Sequence, residues 1–332
     1  YRTLERVGDN VAGETWLITG GTGSLGTALT HRLLSEGHHV RTYSRHPHNI
    51  ERLEASVSGP LRTNLSCLLG DVLDLERLRL AMRDVDIVVH AAAIKSVPIC
   101  QYNPNETSDI NINGSRNVMR VVIDCDVGKA VFVSSDKARA PITEYGKQKA
   151  QAEANWLNGN VYCGAHPKKF VVACYGNVFG SHGSVLQVFR AQATQGTLWV
   201  TDPRCTRFHI RMSTAVDFIL RVVKEAQPGE MWIPKLQSFK VVDLAEAVAP
   251  LVPQVERGLR AKEKIHEVLI SEEDAPYASD EKTHWIVTPA QKQDSGVTEY
   301  HSGRCTWRLS PEDLKKEITI FDQEEKCSLF LS

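Results

Sequence analysis

The sequence runs to 332 residues, 42% of them hydrophobic and 24% charged, with a formal net charge of −1. That length suits one large α/β unit with an appended lobe, and the ordinary composition argues against disordered and membrane classes. Charge so close to zero leaves no electrostatic footprint for nucleic acid, and no apolar run approaches the roughly 20 residues of a membrane span. The eight cysteines (Cys67, Cys100, Cys125, Cys163, Cys174, Cys205, Cys305, Cys327) are scattered without a C-x-x-C pair. This is the pattern of reduced thiols in a cytoplasmic protein, not of a disulfide frame or zinc site. His46, His48 and His266 beside Glu267 match no metal-ligand spacing, so no metal is expected. The sequons at Asn64, Asn105 and Asn113 read as chance matches.

Residues 1–14 are polar and patternless and read as a leader. From Trp16 onward, apolar runs alternate with helical patterns. Strands are expected at 16–19, 39–43, 66–69, 87–92, 130–134 and 170–173, with helices following Leu25 and at 75–82, 114–123 and 145–156. Strands alternating with helices imply an α/β fold, a Rossmann-type doubly wound parallel sheet. After Gly176 the pattern loosens, with helices again at 214–225 and 241–251 and a polar final stretch. The expected division is a cofactor-binding domain over 15–176, joined by segments near 207–250. A smaller C-terminal substrate lobe takes 177–206 and 251–332.

Thr19-Gly20-Gly21-Thr22-Gly23-Ser24-Leu25-Gly26 follows the first strand and opens the first helix. Glycines at 20, 23 and 26 permit a tight turn, close backbone approach to a pyrophosphate and close helix-to-strand packing. The helix N-terminus adds free N–H groups for phosphate. This T-G-x-x-G-x-x-G spacing resembles the short-chain dehydrogenase family. At the end of the second strand stand Tyr43-Ser44-Arg45-His46, without the carboxylate an NAD site uses for the ribose 2′-OH. Arg45 and Ser44 suit a 2′-phosphate instead, so NADP is the expected cofactor; the bland alternative is a solvated loop arginine. Gly70-Asp71-Val72 is placed to meet the adenine, and Ala91 and Ala92 are small enough to let the cofactor lie close.

Ser135 lies just past the fifth strand, ten residues before Tyr145, and Tyr145-x-x-x-Lys149 puts tyrosine and lysine on one helical face. A neighbouring ammonium lowers a tyrosine pKa toward neutrality and makes it a usable acid and base.

On these residues the chain resembles the inverting UDP-N-acetylglucosamine 4,6-dehydratases (5-epimerizing) of polysaccharide and pseudaminic-acid biosynthesis, from about residue 16 to 314. The resemblance is carried by Ala91-Ala92-Ala93-Ile94-Lys95-Ser96-Val97-Pro98, Ser134-Ser135-Asp136-Lys137-Ala138, Tyr175-Gly176-Asn177-Val178-Phe179-Gly180-Ser181, Thr201-Asp202-Pro203 with Thr206-Arg207-Phe208, Glu263-Lys264-Ile265-His266-Glu267 and Trp307-x-Leu309-Ser310. It implies transient oxidation of C4 of a UDP-linked sugar, with Tyr145 managing the O4 proton. Lys137 then removes the C5 proton, Asp136 protonates the departing 6-hydroxyl, and reprotonation from the other face inverts C5. A lysine base needs a depressed pKa, expected from burial and from Lys149. The resemblance also implies substrate contacts at Lys95, Asn177, Arg207 and Glu263, and a homo-oligomer, with a hexamer as one arrangement.

The family's A-V-N-P-I-N before the tyrosine is here Ala138-Arg139-Ala140-Pro141-Ile142-Thr143, followed by Glu144. The arginine before its Y-G-N-V is Cys174, and its R-P-G-E-K is Arg260-Ala261-Lys262-Glu263-Lys264. A UDP-sugar epimerase, an elimination-only enzyme forming a 5,6-ene, and a non-catalytic NADP-binding sensor stay open as alternatives.

Overall fold

Aliphatic runs too short to alternate in polarity bury both faces only inside a parallel sheet covered by helices. In a computed structural model that describes residues 13–330 apart from 168 and 294, the first half of the chain does this. It runs β1 (Thr15–Thr19), α1 (Ser24–Ser35), β2 (His39–Ser44), α2 (Pro47–Ala55), β3 (Leu65–Leu69), α3 (Leu75–Met82), β4 (Ile87–His90), α4 (Val97–Tyr102), α5 (Pro104–Ser108), α6 (Gly114–Asp124), β5 (Lys129–Ser135), α7 (Glu144–Asn158) and β6 (Phe170–Tyr175). The second half contributes α8 (Val185–Ala193), β7 (Leu198–Val200), β8 (Thr206–His209), α9 (Met212–Glu225), β9 (Met231–Pro234), β10 (Gln237–Lys240), α10 (Val241–Val248), β11 (Gln254–Glu256), β12 (Val268–Ile270), β13 (Ala278–Asp280), β14 (His284–Val287), β15 (Tyr300–His301) and α11 (Pro311–Phe330). The leader expected over 1–14 lies, up to residue 12, outside the described residues.

The main sheet has the order β13-β14-β9-β6-β5-β4-β1-β2-β3. From β3 across to β9 the strands are parallel, while β14 and β13 add antiparallel to β9. The doubly wound parallel sheet expected from the sequence is therefore present. Helix α1 packs against α9, and α3, α6 and α7 lie side by side. Their apolar stripes meet the sheet in one core that includes Leu17, Leu29, Val88, Val131, Trp156 and Val172.

A second, smaller core gathers Phe179, Leu186, Phe189, Leu198, Phe239, Leu244 and Leu314. Around it lie the two-stranded pairs β8–β10 and β7–β11. Helix α11, read from the sequence only as polar text, packs on α10. Its charged composition hides one inward stripe: Leu314 is fully buried, Phe321 stands edge-on to Phe179, and Glu317 turns in to meet Arg211 and His209.

That last contact fastens α11 to the junction between β8 and α9. His209 Nε2 donates to Glu317 Oε2 at 3.0 Å, and Arg211 donates to both carboxylate oxygens. Burial pushes the Glu317 carboxyl up, but the Arg211 and His209 hydrogen bonds outweigh it and hold the pKa at about 2. The stability this contributes is complete above the ordinary carboxylate pKa of ~4.3 and is lost as pH falls toward the folded value. Replacing Glu317 by Gln is expected to cost about 3 kcal/mol at neutral pH, the low end for breaking a buried pair because Arg211 stays partly in water. Urea denaturation should find that deficit, and find it shrinking as the pH is lowered through the acid range.

Candidate active site

Strand order reverses at β1, whose neighbours are β2 and β4, so a crevice opens beyond the carboxyl ends of β1 and β4. The glycine loop occupies it. Gly20 has φ +71°, and a Cβ there would stand 2.8 Å from Ala92 N, so the loop touches the Ala91-Ala92 backbone only because both sides are small. A Cβ on Gly26 would lie 2.5 Å from Gly20 O, which requires glycine where α1 meets the turn. Gly23 differs: a Cβ there would meet only Gly20 O, at 3.3 Å, leaving that face clear. As N-cap it offers no side-chain oxygen, so the first N–H groups of α1 remain available to an anion.

The rest of the expected cofactor set surrounds this loop. Thr22 N donates to the buried Ser44 Oγ at 3.3 Å, and Ser24 Oγ accepts from His182 N at 3.2 Å. Leu25 packs against the core, as does the buried Val72. Arg45 Nη1 lies 3.5 Å from Asp71 Oδ2, both side chains part-exposed at the crevice mouth. Tyr43 Oη donates to Asp71 O, fixing that turn. A glycine-lined cradle with free amide donors fits the pyrophosphate of a dinucleotide, and a guanidinium stands at its rim.

Beneath the crevice a polar wire joins three elements. Thr19 Oγ1 meets His90 Nδ1 at 2.6 Å, His90 Nε2 meets Ser115 Oγ at 2.9 Å, and Ser115 donates to Asn111 O. Burial, and then the Lys149 charge, hold His90 neutral with a pKa of about 3. Asn111 in turn brackets Ile94, accepting from its N–H and donating to its carbonyl, which fixes the loop running from Ala91 to Lys95. Nothing in the sequence singled out Asn111, although its turn winds as a π-helix over Asp109–Asn113, a distortion that often marks a functional site.

The residues expected to act as acids and bases converge at the end of β5. Asp136 has no exposed surface; its Oδ1 accepts from Ser135 Oγ at 2.8 Å and from Lys137 Nζ at 3.1 Å, while Oδ2 is buried without a hydrogen-bond partner among the described residues. Thr143 Oγ1 caps α7 by accepting from Gly146 N at 3.0 Å, and Gly146 lies against the Lys137 carbonyl so closely that a Cβ would collide with it. The helix carrying Tyr145 and Lys149 is thereby seated directly on the Asp136-Lys137 turn.

Two charge states differ from the sequence expectation. Burial pulls Lys137 down, but Asp136 and Glu267 outweigh it, so its pKa is raised and it stays an ammonium. The depressed lysine is Lys149, taken by burial to about 7, with Nζ donating to Val133 O at 2.6 Å and lying 3.8 Å over the Phe132 ring. Tyr145 is raised by burial; the largest opposing influence is Lys137 and not Lys149. Asp136 is also raised, chiefly by burial. The residue missing from the sequence picture is Glu267, whose Oε1 lies 3.3 Å from Lys137 Nζ. It stands in the run Glu263 to Glu267, but sequence distance hid its approach to the Asp136 turn.

The expected substrate contacts divide. Arg207 and Glu263 come together, with Arg207 Nη2 donating to Glu263 Oε1 at 3.2 Å and Nη1 to the carbonyls of Thr206 and Ile265. Lys95 stands at the mouth beyond β4; partial burial and the Lys137 charge hold its ammonium below the usual lysine range. Asn177 is exposed just after β6.

The departures from the family pattern also acquire a physical reading. Ala140 takes φ +43°, a left-handed conformation that asparagine tolerates and a Cβ resists at about 1 kcal/mol. Cys174 and Arg139 are linked: the Arg139 charge acts on the buried Cys174 thiol, which burial raises to about 12. The guanidinium absent before Tyr175 is supplied from the loop, where Arg139 pairs with Glu153 and with Asp274 Oδ2 at 2.9 Å.

Fold and cleft together define a Rossmann-type fold of the short-chain dehydrogenase/reductase class. The chain belongs to the polysaccharide biosynthesis protein family, which it matches over residues 16–289. It is 39% identical over 285 residues to an inverting UDP-N-acetylglucosamine 4,6-dehydratase of Campylobacter jejuni, covering 84% of both chains, so the resemblance read from the motifs is borne out. It is 32% identical to a UDP-glucose 4-epimerase of Rickettsia akari, over 94% of this chain and 98% of that one. Among solved structures it is similar to Pen from Bacillus thuringiensis, with TM-score 0.88 and 30% identity over 93% of this chain and 97% of that one. No helix among the described residues is long and apolar enough to cross a membrane.

The buried Lys149 makes the site costly in stability. Its folded pKa of about 7 lies below the ~10.4 of an unfolded lysine, so the unfolded chain binds this proton more tightly. Folding stability should therefore rise as pH climbs from about 7 to about 10. Lys149→Met is expected to flatten that rise and to melt higher than wild type near neutral pH, which paired thermal melts across the pH range would check.

Proposed function

We propose that the protein is an NADP-dependent UDP-N-acetylglucosamine 4,6-dehydratase that inverts C5 and yields a UDP-4-keto-6-deoxy amino sugar. The observation that carries this reading is the buried Asp136 paired with the part-buried Lys137 beside Ser135 and Tyr145. A simple oxidoreductase of this fold needs a tyrosine and a lysine; it has no use for a second acid and base at the same place.

Gly20, Thr22, Gly23, Ser24, Leu25 and Gly26 would hold NADP, with Ser44 and Arg45 toward its 2′-phosphate and Asp71, Val72, Ala91 and Ala92 along the crevice, and the bound cofactor would supply the hydride chemistry at C4 and C6. Tyr145, with Ser135 placed to meet the same substrate oxygen, would manage the O4 proton. The C4 ketone acidifies the C5 proton, which Lys137 removes. Asp136, whose carboxyl burial keeps protonated more readily than usual, gives its proton to the departing O6, which leaves as water. Lys95, Asn177, Arg207 and Glu263 hold the UDP portion, the guanidinium against phosphate.

The 39% identity to an enzyme named as an inverting dehydratase supports this reading over the 4-epimerase of the more distant relative. Incubation with UDP-N-acetylglucosamine in deuterated water, followed by NMR, is expected to give a 4-keto-6-deoxy product deuterated at C5. A C4 epimer would overturn the reading, and a 5,6-ene would move it to elimination alone. Lys137→Met should abolish dehydration while NADP stays bound. Arg45→Ala is expected to weaken NADP binding by about tenfold or more, the worth of a charge-assisted contact, and to leave NAD binding nearly unchanged. Calorimetric titration with each dinucleotide measures this directly.

A further inference from the structure

A lysine takes a proton from carbon only as the neutral amine, and Lys137 lies between two carboxylates that hold it charged. One of them must accept its proton. Asp136 is committed to the leaving oxygen, which leaves Glu267. Glu267 is buried just before β12, and its Oε1 lies 3.3 Å from Lys137 Nζ and 3.8 Å from Arg207 Nε. Two cations thus share one oxygen, while Oε2 is buried without a hydrogen-bond partner among the described residues.

We propose that Glu267 is a positioning residue that arms Lys137: when a diphosphate draws the Arg207 guanidinium away, the Glu267 carboxylate takes a proton from the Lys137 ammonium. This rests on the UDP-sugar reading above. In the transfer one N–H bond of Lys137 breaks and one O–H bond forms on Glu267, and a charged pair becomes a neutral pair. Arg207 attracts the carboxylate and repels the ammonium. It is in direct contact with Glu267, so its departure weakens the charged pair more than it relieves it. Burial already pushes Glu267 up; Lys137, Arg207 and Lys264 now hold it down, so losing Arg207 releases it toward protonation. The other charges facing the pair are Asp136 on Glu267, and Asp136, Arg207, Lys95, Lys264 and Tyr145 around Lys137. Of these only Arg207 both contacts Glu267 and is suited to binding phosphate.

The test uses full-length protein labelled with 15N at the lysine Nζ, with Lys137→Met to assign the signal and UDP as the probe. The Lys137 resonance is expected to move from the ammonium toward the amine position as UDP saturates the wild type; a resonance that stays ammonium overturns the inference. Glu267→Gln should slow deuterium incorporation at C5 by about 100-fold across the whole pH profile, the range lost with a general base, while UDP affinity is kept. Glu267→Asp should recover part of that rate. If Glu267 merely holds Lys137 charged, Glu267→Gln will instead exchange C5 at the wild-type rate with its profile moved to lower pH, and the inference fails while the dehydratase reading stands. A wild type that forms no 4-keto product overturns both.

Discussion

Charges leave water at the end of β5, and the neighbouring structure is arranged around keeping them there. Asp136 and Glu267 are carboxylates buried on either side of one ammonium, with Arg207 behind the second. Removing such groups from water costs several kcal/mol each unless every one finds a partner. That condition explains why residues far apart in sequence meet here: the turn after β5 supplies Asp136 and Lys137, the segment before β12 supplies the opposing carboxylate, and β8 supplies the guanidinium. Two oxygens of this cluster, Asp136 Oδ2 and Glu267 Oε2, remain without hydrogen-bond partners among the described residues.

The cofactor crevice and this cluster are not independent. The wire from Thr19 through His90 and Ser115 to Asn111 links β1, β4 and the turn before α6, and Asn111 then holds the loop that ends in Lys95. Neutral His90, stacked on Trp156 at 5.4 Å, is a rigid spacer there and carries no charge that would compete with the lysines. The end of β1, from which the glycine loop departs, is thereby joined by hydrogen bonds to the loop that ends in Lys95.

Much of this was legible in the sequence, and what was not has common causes. The six parallel strands up to Tyr175 and the helices between them announce themselves because each is a local pattern: a strand, a turn signal, a 3.6-residue period. Strands β9, β13 and β14 are short, and they join the sheet through pairings that no local period encodes. Helix α11 went unread because its inward stripe is interrupted by Glu317, whose burial makes sense only once Arg211 and His209 face it. Ser135, Tyr145, Lys149 and the Asp136-Lys137 pair could be named from spacing and resemblance. Their charge states could not, since these depend on Glu267 and on depth: the lysine expected to be depressed is held charged, and its helical neighbour is depressed instead.

The strained Ala140 closes the turn that carries Asp136 and Lys137, and besides its contacts with α7 that turn is tied to the segment after residue 260. Lys264 Nζ donates to the Arg139 carbonyl at 2.6 Å, and the Arg139 guanidinium reaches Asp274. A conformation that a Cβ disfavours persists only while such ties hold it. Integrity of that turn is thus a non-local property: a proteolytic nick near residue 260 would leave residues 135–149 uncut and still loosen the Lys264 and Asp274 ties that hold their backbone.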